Sequence, residues 1–103
     1  MKIVRVIYTT RPGYVATNQA NIANIVEELR ELKHPGIKYG AYLLPDGKTF
    51  MHFDQFESEA AHAVLTGLES FKKFAAELEA SEWEAAPKLE LLSLVASNDK
   101  FFG

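Results

Sequence analysis

The sequence predicts an α+β fold in which a four-stranded antiparallel sheet carries two helical segments on one face. Two stretches have the apolar spacing of helices, and four have the alternation and β-branched content of strands. Their order is strand, helix, strand, strand, helix, strand. One hairpin and two crossovers of the same hand join these elements into one sheet, in which the first and third strands are central. We expect residues 1–103 to form one domain.

The first third of the chain holds one strand and one helix. Residues 2–10 are rich in β-branched side chains, and both faces of this strand are largely apolar. Residues 15–33 carry apolar side chains at spacings of three and four, and Thr17 or Asn18 could cap the start of the helix. His34-Pro35-Gly36 then stops it, because Pro and Gly interrupt helices.

The middle of the chain predicts a hairpin. Residues 37–44 and 48–55 have strand character, and Pro45-Asp46-Gly47 between them suits a tight turn. Proline presets the first turn position, and glycine accepts a positive φ.

The remaining third predicts a helical segment and the last strand. Ser58 is placed to cap the helix, and Gly67 in its interior predicts a kink or a break into two helices. Residues 88–97 form the last strand. The tail residues Phe101 and Phe102 are expected to dock on a partner or to fray.

The alternation of side chains along the strands divides the sheet into two faces. We expect the more apolar face to meet the helices, with Val4, Val6, Tyr8, Tyr39, Ala41, Leu43, Met51, Phe53, Leu89, Leu91 and Val95. The other face is also too apolar to stand in water, and we expect a second copy to cover it in a two-fold homodimer. The two sheets would then enclose a barrel-like space. Its lining is predicted to include Ile3, Arg5, Ile7, Thr9, Tyr42, Leu44, Phe50, His52, Asp54, Glu90, Leu92 and Leu94.

Composition excludes several classes of partner. The formal net charge is -3 and the basic residues are scattered, which argues against a nucleic acid or an anionic membrane. No apolar run approaches the roughly 18 residues of a membrane span. The N-terminal residues lack the apolar segment of a signal peptide, so we expect a cytoplasmic protein. Without cysteine the chain has neither a thiolate nucleophile nor a sulfur ligand for a metal.

One stretch of the chain carries a family resemblance. It reads Phe56-Glu57-Ser58, then Ala61-His62, then Ser70-Phe71 and Phe74. This pattern resembles the antibiotic biosynthesis monooxygenase group of dimeric α/β-barrel proteins, which have a ferredoxin-like fold. The resemblance implies a homodimer and, for some members, cofactor-free oxygenation of quinols and polyketides.

The departures from that group narrow the implied activity. Phe56 stands where the oxidising members commonly have tryptophan, and Ser70 stands where the group has a second histidine. Residues 2–10 lack the asparagine of the haem-degrading members. The resemblance therefore disfavours haem degradation, whereas related barrel families of the stress-responsive and muconolactone-isomerase types stay open.

Two sets of residues are candidates for chemistry. His62 could act as an acid or base at the mouth of a cavity, since imidazole titrates near neutral pH, or it could be a packing residue. On the predicted face, Asp54 could orient His52 as a base while Arg5 stabilises an anion. Alternatively, Arg5 and Asp54 form an ion pair that closes the dimer interface, and His52 is structural.

Other residues are assigned to binding or to the core. Substrate contacts are predicted for Tyr42, Phe50, Asp54, Phe56 and Glu90. The tyrosines Tyr8, Tyr39 and Tyr42 could stack on an aromatic ligand, although strand aromatics usually belong to the core. The three histidines lie on three elements without metal-ligand spacing, so no metal site is expected.

Two functions follow. The first is a small homodimeric, cofactor-independent monooxygenase that oxygenates quinol-like or polyketide-like aromatic substrates, with His62 or His52 as base. The second is a non-catalytic dimer of the same fold that binds a small apolar or aromatic ligand or has a stress-related role.

Overall fold

A computed structural model describes residues 1–99 and has the predicted element order. Four strands form one antiparallel sheet in the order β2-β3-β1-β4, so the first and third strands are central, as predicted. The α+β, ferredoxin-like βαββαβ fold is therefore confirmed. Phe101 and Phe102 lie outside the described residues. The elements are β1 (Lys2–Thr9), α1 (Val15–Leu32), β2 (Ile37–Leu43), β3 (Thr49–Phe56), α2 (Glu59–Gly67), α3 (Glu69–Ala80) and β4 (Ala85–Leu92).

The first helix begins at Val15, as predicted, but it lacks the predicted cap. Pro12–Tyr14 forms a short 3-10 turn that leads directly into Val15, so neither Thr17 nor Asn18 is the capping residue. Asn18 lies inside the helix and is fully buried. At the other end, Lys33 adopts a left-handed conformation with φ of 54°, and its N–H donates to the carbonyl of Leu29. Lysine thus occupies a position at the end of α1 where glycine is usual.

The predicted break at Gly67 is confirmed. Ser58 caps α2, since its Oγ accepts a hydrogen bond from the N–H of Ala61 at 3.2 Å. The helix ends at Gly67, Leu68 is extended, and α3 starts at Glu69. Separate directions for α2 and α3 let both segments bury apolar side chains, including Leu65 and Phe74.

A carboxylate from α1 fixes the start of α3. Glu28 Oε1 accepts hydrogen bonds from the backbone N–H of Ser70 at 3.1 Å and from its hydroxyl at 2.6 Å. Such a bond satisfies one of the free amides of a helix N-terminus. The position at which the resembling group has its second histidine is thus used here to pack two helices.

The pairing of β1 and β3 corrects the predicted faces of the sheet. Val6 lies opposite His52, and Tyr8 lies opposite Phe50. Directly opposed side chains in an antiparallel pair point to the same side, so Phe50, His52 and Asp54 face the helices with Val4 and Tyr8. Their assignment to the open face was wrong. Met51 and Phe53, predicted to face the helices, lie instead on the open face with Ile7 and Arg5.

The hydrophobic core lies between the sheet and the helices. It contains Val4, Tyr8, Ile25, Phe50, Phe56, Ala61, Leu65, Phe74 and Leu78. The strand at the sheet edge, β4, is shorter than predicted, and its helix-side residues Leu89 and Leu91 are 58% and 67% exposed. The core therefore thins toward β4. Within residues 1–99, no helix is both long and apolar enough to cross a membrane.

Candidate functional site

A cavity of about 460 Å³ opens between the sheet and helices α2 and α3. Its wall is mostly aliphatic and aromatic. The polar groups on it include two tyrosines, two histidines and two carboxylic acids. The lining side chains are Val4, Val6, Tyr8, Tyr39, His52, Asp54, His62, Leu65, Thr66, Phe71, Phe74, Ala75, Leu78, Glu79, Trp83, Pro87 and Leu89.

His52 stands on the floor of this cavity with both ring nitrogens hydrogen-bonded. Its Nε2 lies 2.7 Å from the hydroxyl of Tyr8, and its Nδ1 lies 3.2 Å from the hydroxyl of Tyr39. The residue is 4% exposed. Burial lowers the pKa of His52 from 6.5 to about 4, so the ring is neutral at pH 7. A neutral ring has one donor and one acceptor nitrogen, which suits two hydroxyl partners.

The two tyrosines stay protonated. Burial raises the pKa of Tyr8 well above its usual range, and a hydrogen bond from Asn18 offsets this only in part. Burial and then the charge of Asp54 raise the pKa of Tyr39 in the same way. Asn18 Nδ2 donates to the Tyr8 hydroxyl at 2.8 Å. The chain Asn18–Tyr8–His52–Tyr39 thus links α1 to the cavity across two central strands and β2.

Asp54 is the buried acid of the cavity. It is 6% exposed, and burial raises the pKa of its carboxyl to about 7, although the backbone N–H of Gly40 acts in the opposite direction. Among residues 1–99, no hydrogen-bond partner is found for Asp54 Oδ1. Tyr39 is its directly opposed neighbour on β2. A carboxyl with this pKa can accept or release a proton near neutral pH.

His62 lies on α2 where that helix borders the cavity. Its ring stacks on Phe56 with the centroids 4.3 Å apart and an angle of 18° between the planes. Burial, and then the charge of Lys2, lower the pKa of His62, while Glu59 opposes them. The ring is half-buried, and its lowered pKa favours the neutral form at pH 7. It contributes an edge of the cavity and a titratable nitrogen.

The structure separates Arg5 from the histidines. Arg5 is on the open face of the sheet, where its Nη1 lies 3.5 Å from Glu90 Oε1. The predicted sharing of one face by Arg5, His52 and Asp54 is wrong, and so is the alternative Arg5–Asp54 ion pair. The cause is that the side chains of β3 alternate in the opposite sense to the prediction. Phe53 rather than His52 lies opposite Arg5. Arg5 and Glu90 lie outside the helix-side cavity.

Three further residues predicted to bind substrate, Tyr42, Phe50 and Phe56, do not line the cavity. Tyr42 is on the opposite side of β2 from Tyr39 and is 61% exposed. Phe50 is 2% exposed and stacks on Tyr8 with centroids 5.6 Å apart, while Phe56 is fully buried. Both phenylalanines are core residues that support the site from behind.

Sequence reasoning missed Asn18 and Trp83 as parts of this region. The signal for Asn18 was its spacing, because it lies four residues before Ile22 and seven before Ile25 on the apolar stripe of the helix. A polar residue in phase with such a stripe becomes buried and needs a partner. No comparable sequence signal marked Trp83, because nothing in the sequence of its loop shows that its side chain lines the cavity.

Metal-ligating side chains are not clustered in the described part of the chain. Across residues 1–99 there is no group of three His, Cys, Asp or Glu side chains that could hold an ion. Asp54, His52 and His62 can act in the cavity through proton transfer and hydrogen bonding.

Comparison with known proteins identifies the fold. No protein-family model matches the chain, and no curated protein matches it. A solved structure described as an antibiotic biosynthesis monooxygenase is 16% identical, with a TM-score of 0.78 over 93% of this chain and 100% of that one. A candidate antibiotic biosynthesis monooxygenase from Bacteroides thetaiotaomicron is 15% identical, with a TM-score of 0.82 over 96% and 93%. A similarly named protein from Caulobacter crescentus is 18% identical, with a TM-score of 0.76 over 92% and 90%.

These similarities confirm the predicted resemblance at the level of the fold. The chain has the ferredoxin-like fold of structures named antibiotic biosynthesis monooxygenases, over nearly its whole length. Function is therefore argued from the cavity itself.

Proposed function

We propose that this protein binds small aromatic, hydroxyl-bearing substrates of the quinol or polyketide type in the helix-side cavity and oxygenates them with dioxygen, without a resident cofactor. The observation that carries the proposal is an apolar cavity of about 460 Å³ with a buried acid of pKa about 7 on its floor. Ligand sites of about 300–1,000 Å³ lined by apolar and aromatic side chains suit small organic molecules.

The proposed oxygenation begins with the removal of one proton from the substrate. Loss of a proton from an aromatic hydroxyl raises the electron density of the ring, and the anion can then give electrons to dioxygen. For anthrone, which reacts through its enol, one atom of dioxygen becomes the new carbonyl oxygen, the other leaves as water, and the CH₂ carbon of the keto form becomes a carbonyl. The substrate supplies all four electrons. The protein has to bind the ring, take the proton and exclude bulk water.

The cavity supplies groups for each task. Phe71, Phe74 and Trp83 present aromatic surfaces for a ring. The proton acceptor is one of the titratable groups of the wall. His52 is the least suited, because both its nitrogens are bonded to tyrosine hydroxyls and its pKa is lowered to about 4. Asp54 and His62 have the freedom to accept a proton.

We also propose that a second copy covers the open face of the sheet. That face carries the half-buried side chains Ile7, Met51 and Phe53 around the Arg5–Glu90 pair. A two-layer fold leaves such a face in water unless another layer covers it. In a dimer of this kind, each copy keeps its own helix-side cavity, and the open faces form the interface.

An oxygen electrode with anthrone as substrate tests the proposed reaction. The wild-type protein, freed of metals by chelation, is expected to consume one dioxygen per anthraquinone formed, faster than the solution without protein. Ala75→Trp, which fills the edge of the cavity from α3, should abolish the acceleration. Tyr42→Phe, on the other side of the sheet, should leave it unchanged.

The result also separates the two functional hypotheses. Binding of anthrone without accelerated oxygen uptake would favour a non-catalytic ligand-binding protein. Equal loss of activity in Ala75→Trp and Tyr42→Phe would show that the cavity is not the site.

A further inference from the structure

We propose that Asp54 and Tyr39 together form the subsite for the aromatic hydroxyl of the substrate, with Asp54 as the base that takes its proton and Tyr39 as the donor that holds the oxygen anion. The catalytic part of this inference rests on the proposed function. The binding of a phenolic hydroxyl at the pair does not, and it is tested without dioxygen.

The first step is the placement of the pair. Tyr39 on β2 and Asp54 on β3 are directly opposed in the antiparallel register and therefore point to the same side of the sheet. Both line the cavity. Asp54 is 6% exposed, and its Oδ1 has no hydrogen-bond partner within residues 1–99. Buried carboxyl oxygens are normally paired, so the Asp54 carboxyl has hydrogen-bonding capacity that the described residues do not use.

The second step is the direction of the hydrogen bonds that reach Tyr39. Because Asn18 Nδ2 donates to the Tyr8 oxygen, the Tyr8 hydroxyl hydrogen is free to go to His52 Nε2. That nitrogen is then the acceptor of the neutral ring, so Nδ1 carries the hydrogen and donates to the Tyr39 oxygen. Tyr39 accepts at its oxygen and keeps its own hydrogen for a further acceptor.

The third step is the orientation of Asn18, which sets this direction. Its Nδ2, and not its Oδ1, lies 2.8 Å from the Tyr8 hydroxyl, so the amide is the donor of this hydrogen bond. Asn18 is thus a positioning residue, which acts on Tyr39 through Tyr8 and His52.

The fourth step is the proton transfer. The O–H bond of the substrate breaks, its hydrogen goes to a carboxylate oxygen of Asp54, and the electron pair stays on the substrate oxygen. The Tyr39 hydroxyl donates a hydrogen bond to that anion. A base works best with a pKa near the working pH, and burial raises the pKa of Asp54 to about 7. A donor that is already oriented stabilises the new charge without rearrangement.

A binding experiment tests the subsite. Trp83 lines the cavity and is the only tryptophan of the chain, so its fluorescence reports occupancy. The probes are 4-nitrophenol and nitrobenzene, which differ by one hydroxyl. The wild type should bind 4-nitrophenol at least about 10-fold more tightly, as expected for a hydrogen bond that involves a charged group. Tyr39→Phe should remove most of this preference, whereas Glu31→Gln on the exposed face of α1 should keep it.

Absorbance of the same probe tests the base. At pH 7, free 4-nitrophenol is only partly ionised and part of Asp54 is in its carboxylate form, so binding to the wild type should increase the fraction of the nitrophenolate anion. Asp54→Asn should bind the probe without this increase, because an amide cannot take the proton. The same substitution should lower oxygen uptake with anthrone about 100-fold or more, the usual contribution of a general base.

The outcomes distinguish this inference from the proposed reaction. Equal affinity for 4-nitrophenol and nitrobenzene, or an undiminished preference in Tyr39→Phe, would overturn the subsite. An undiminished anion fraction in Asp54→Asn would overturn the role of Asp54. Absence of oxygen uptake in the wild type, with the probe results as expected, would overturn only the oxygenation reaction.

Discussion

Replacing Phe56 with alanine should lower the free energy of unfolding by about 3–5 kcal/mol, the usual effect of truncating a buried phenylalanine. Phe56 is fully buried at the end of β3, and its ring supports His62 by stacking at 4.3 Å between centroids. Removing it leaves a cavity that backbone shifts fill only in part, and it frees the His62 ring. This large effect identifies Phe56 as a core residue and not as a substrate contact.

Urea unfolding followed by circular dichroism measures the change. Glu31→Ala is the control, because Glu31 lies on the exposed face of α1, away from the open face of the sheet. Its substitution should change the free energy of unfolding by less than about 1 kcal/mol. Unchanged stability of the Phe56→Ala protein, together with weakened ligand binding, would contradict this role and indicate that Phe56 contacts the ligand.

Removing the Asp54 carboxyl should make the protein strongly sensitive to acid between pH 6.5 and about 4. The pKa of His52 is lowered in the folded state, so in this range the unfolded chain binds a proton that the folded chain does not, and stability falls as the pH falls. The pKa of Asp54 is raised from 3.8 to about 7, so stability rises as the pH falls through that interval. In the wild type the two effects largely cancel.

Relative to the wild type, the stability of Asp54→Asn and that of His52→Gln should therefore change with pH in opposite directions. Relative to the wild type, Asp54→Asn should lose about 3 kcal/mol of stability on acidification across the His52 interval, by conversion of the shift at about 1.4 kcal/mol per pH unit. His52→Gln should instead gain stability over the same range. Unfolding in urea at several pH values measures both, and differences from the wild type cancel the contributions of exposed groups. Parallel pH profiles of the two variants would contradict the opposed titrations.

The sequence was sufficient to predict the fold, but it was not sufficient to predict which side chains of β3 face the helices. Element order, the Gly67 break and the Ser58 cap depend on local chemistry, and the structure has them as predicted. The side of β3 that faces the helices depends on pairing across strands. Because Phe50, Met51 and Phe53 place apolar side chains on both faces of β3, counting apolar residues could not choose between them.

The candidate site also depends on strand pairing and on contacts between distant residues, which the sequence alone does not show. His62, His52 and Asp54 were singled out by residue type, and the structure brings all three to one cavity. Arg5 was grouped with them only through the wrong phase of β3. The hydrogen-bond chain from Asn18 to Tyr39 joins three distant parts of the sequence, so no spacing pattern could reveal it. Buried polar residues on an apolar stripe, such as Asn18, are the clearest sequence signal that was available.

The most direct test of the helix-side cavity as the ligand site is amide NMR mapping with 4-nitrophenol. Amide signals of Tyr39, Asp54 and Trp83 should shift on titration, since these residues line the cavity. The signals of Arg5 and Glu90, on the open face of the sheet, should stay in place. Shifts confined to Arg5, Glu90 and their strand neighbours would contradict the account and place the ligand between the two sheets of a dimer.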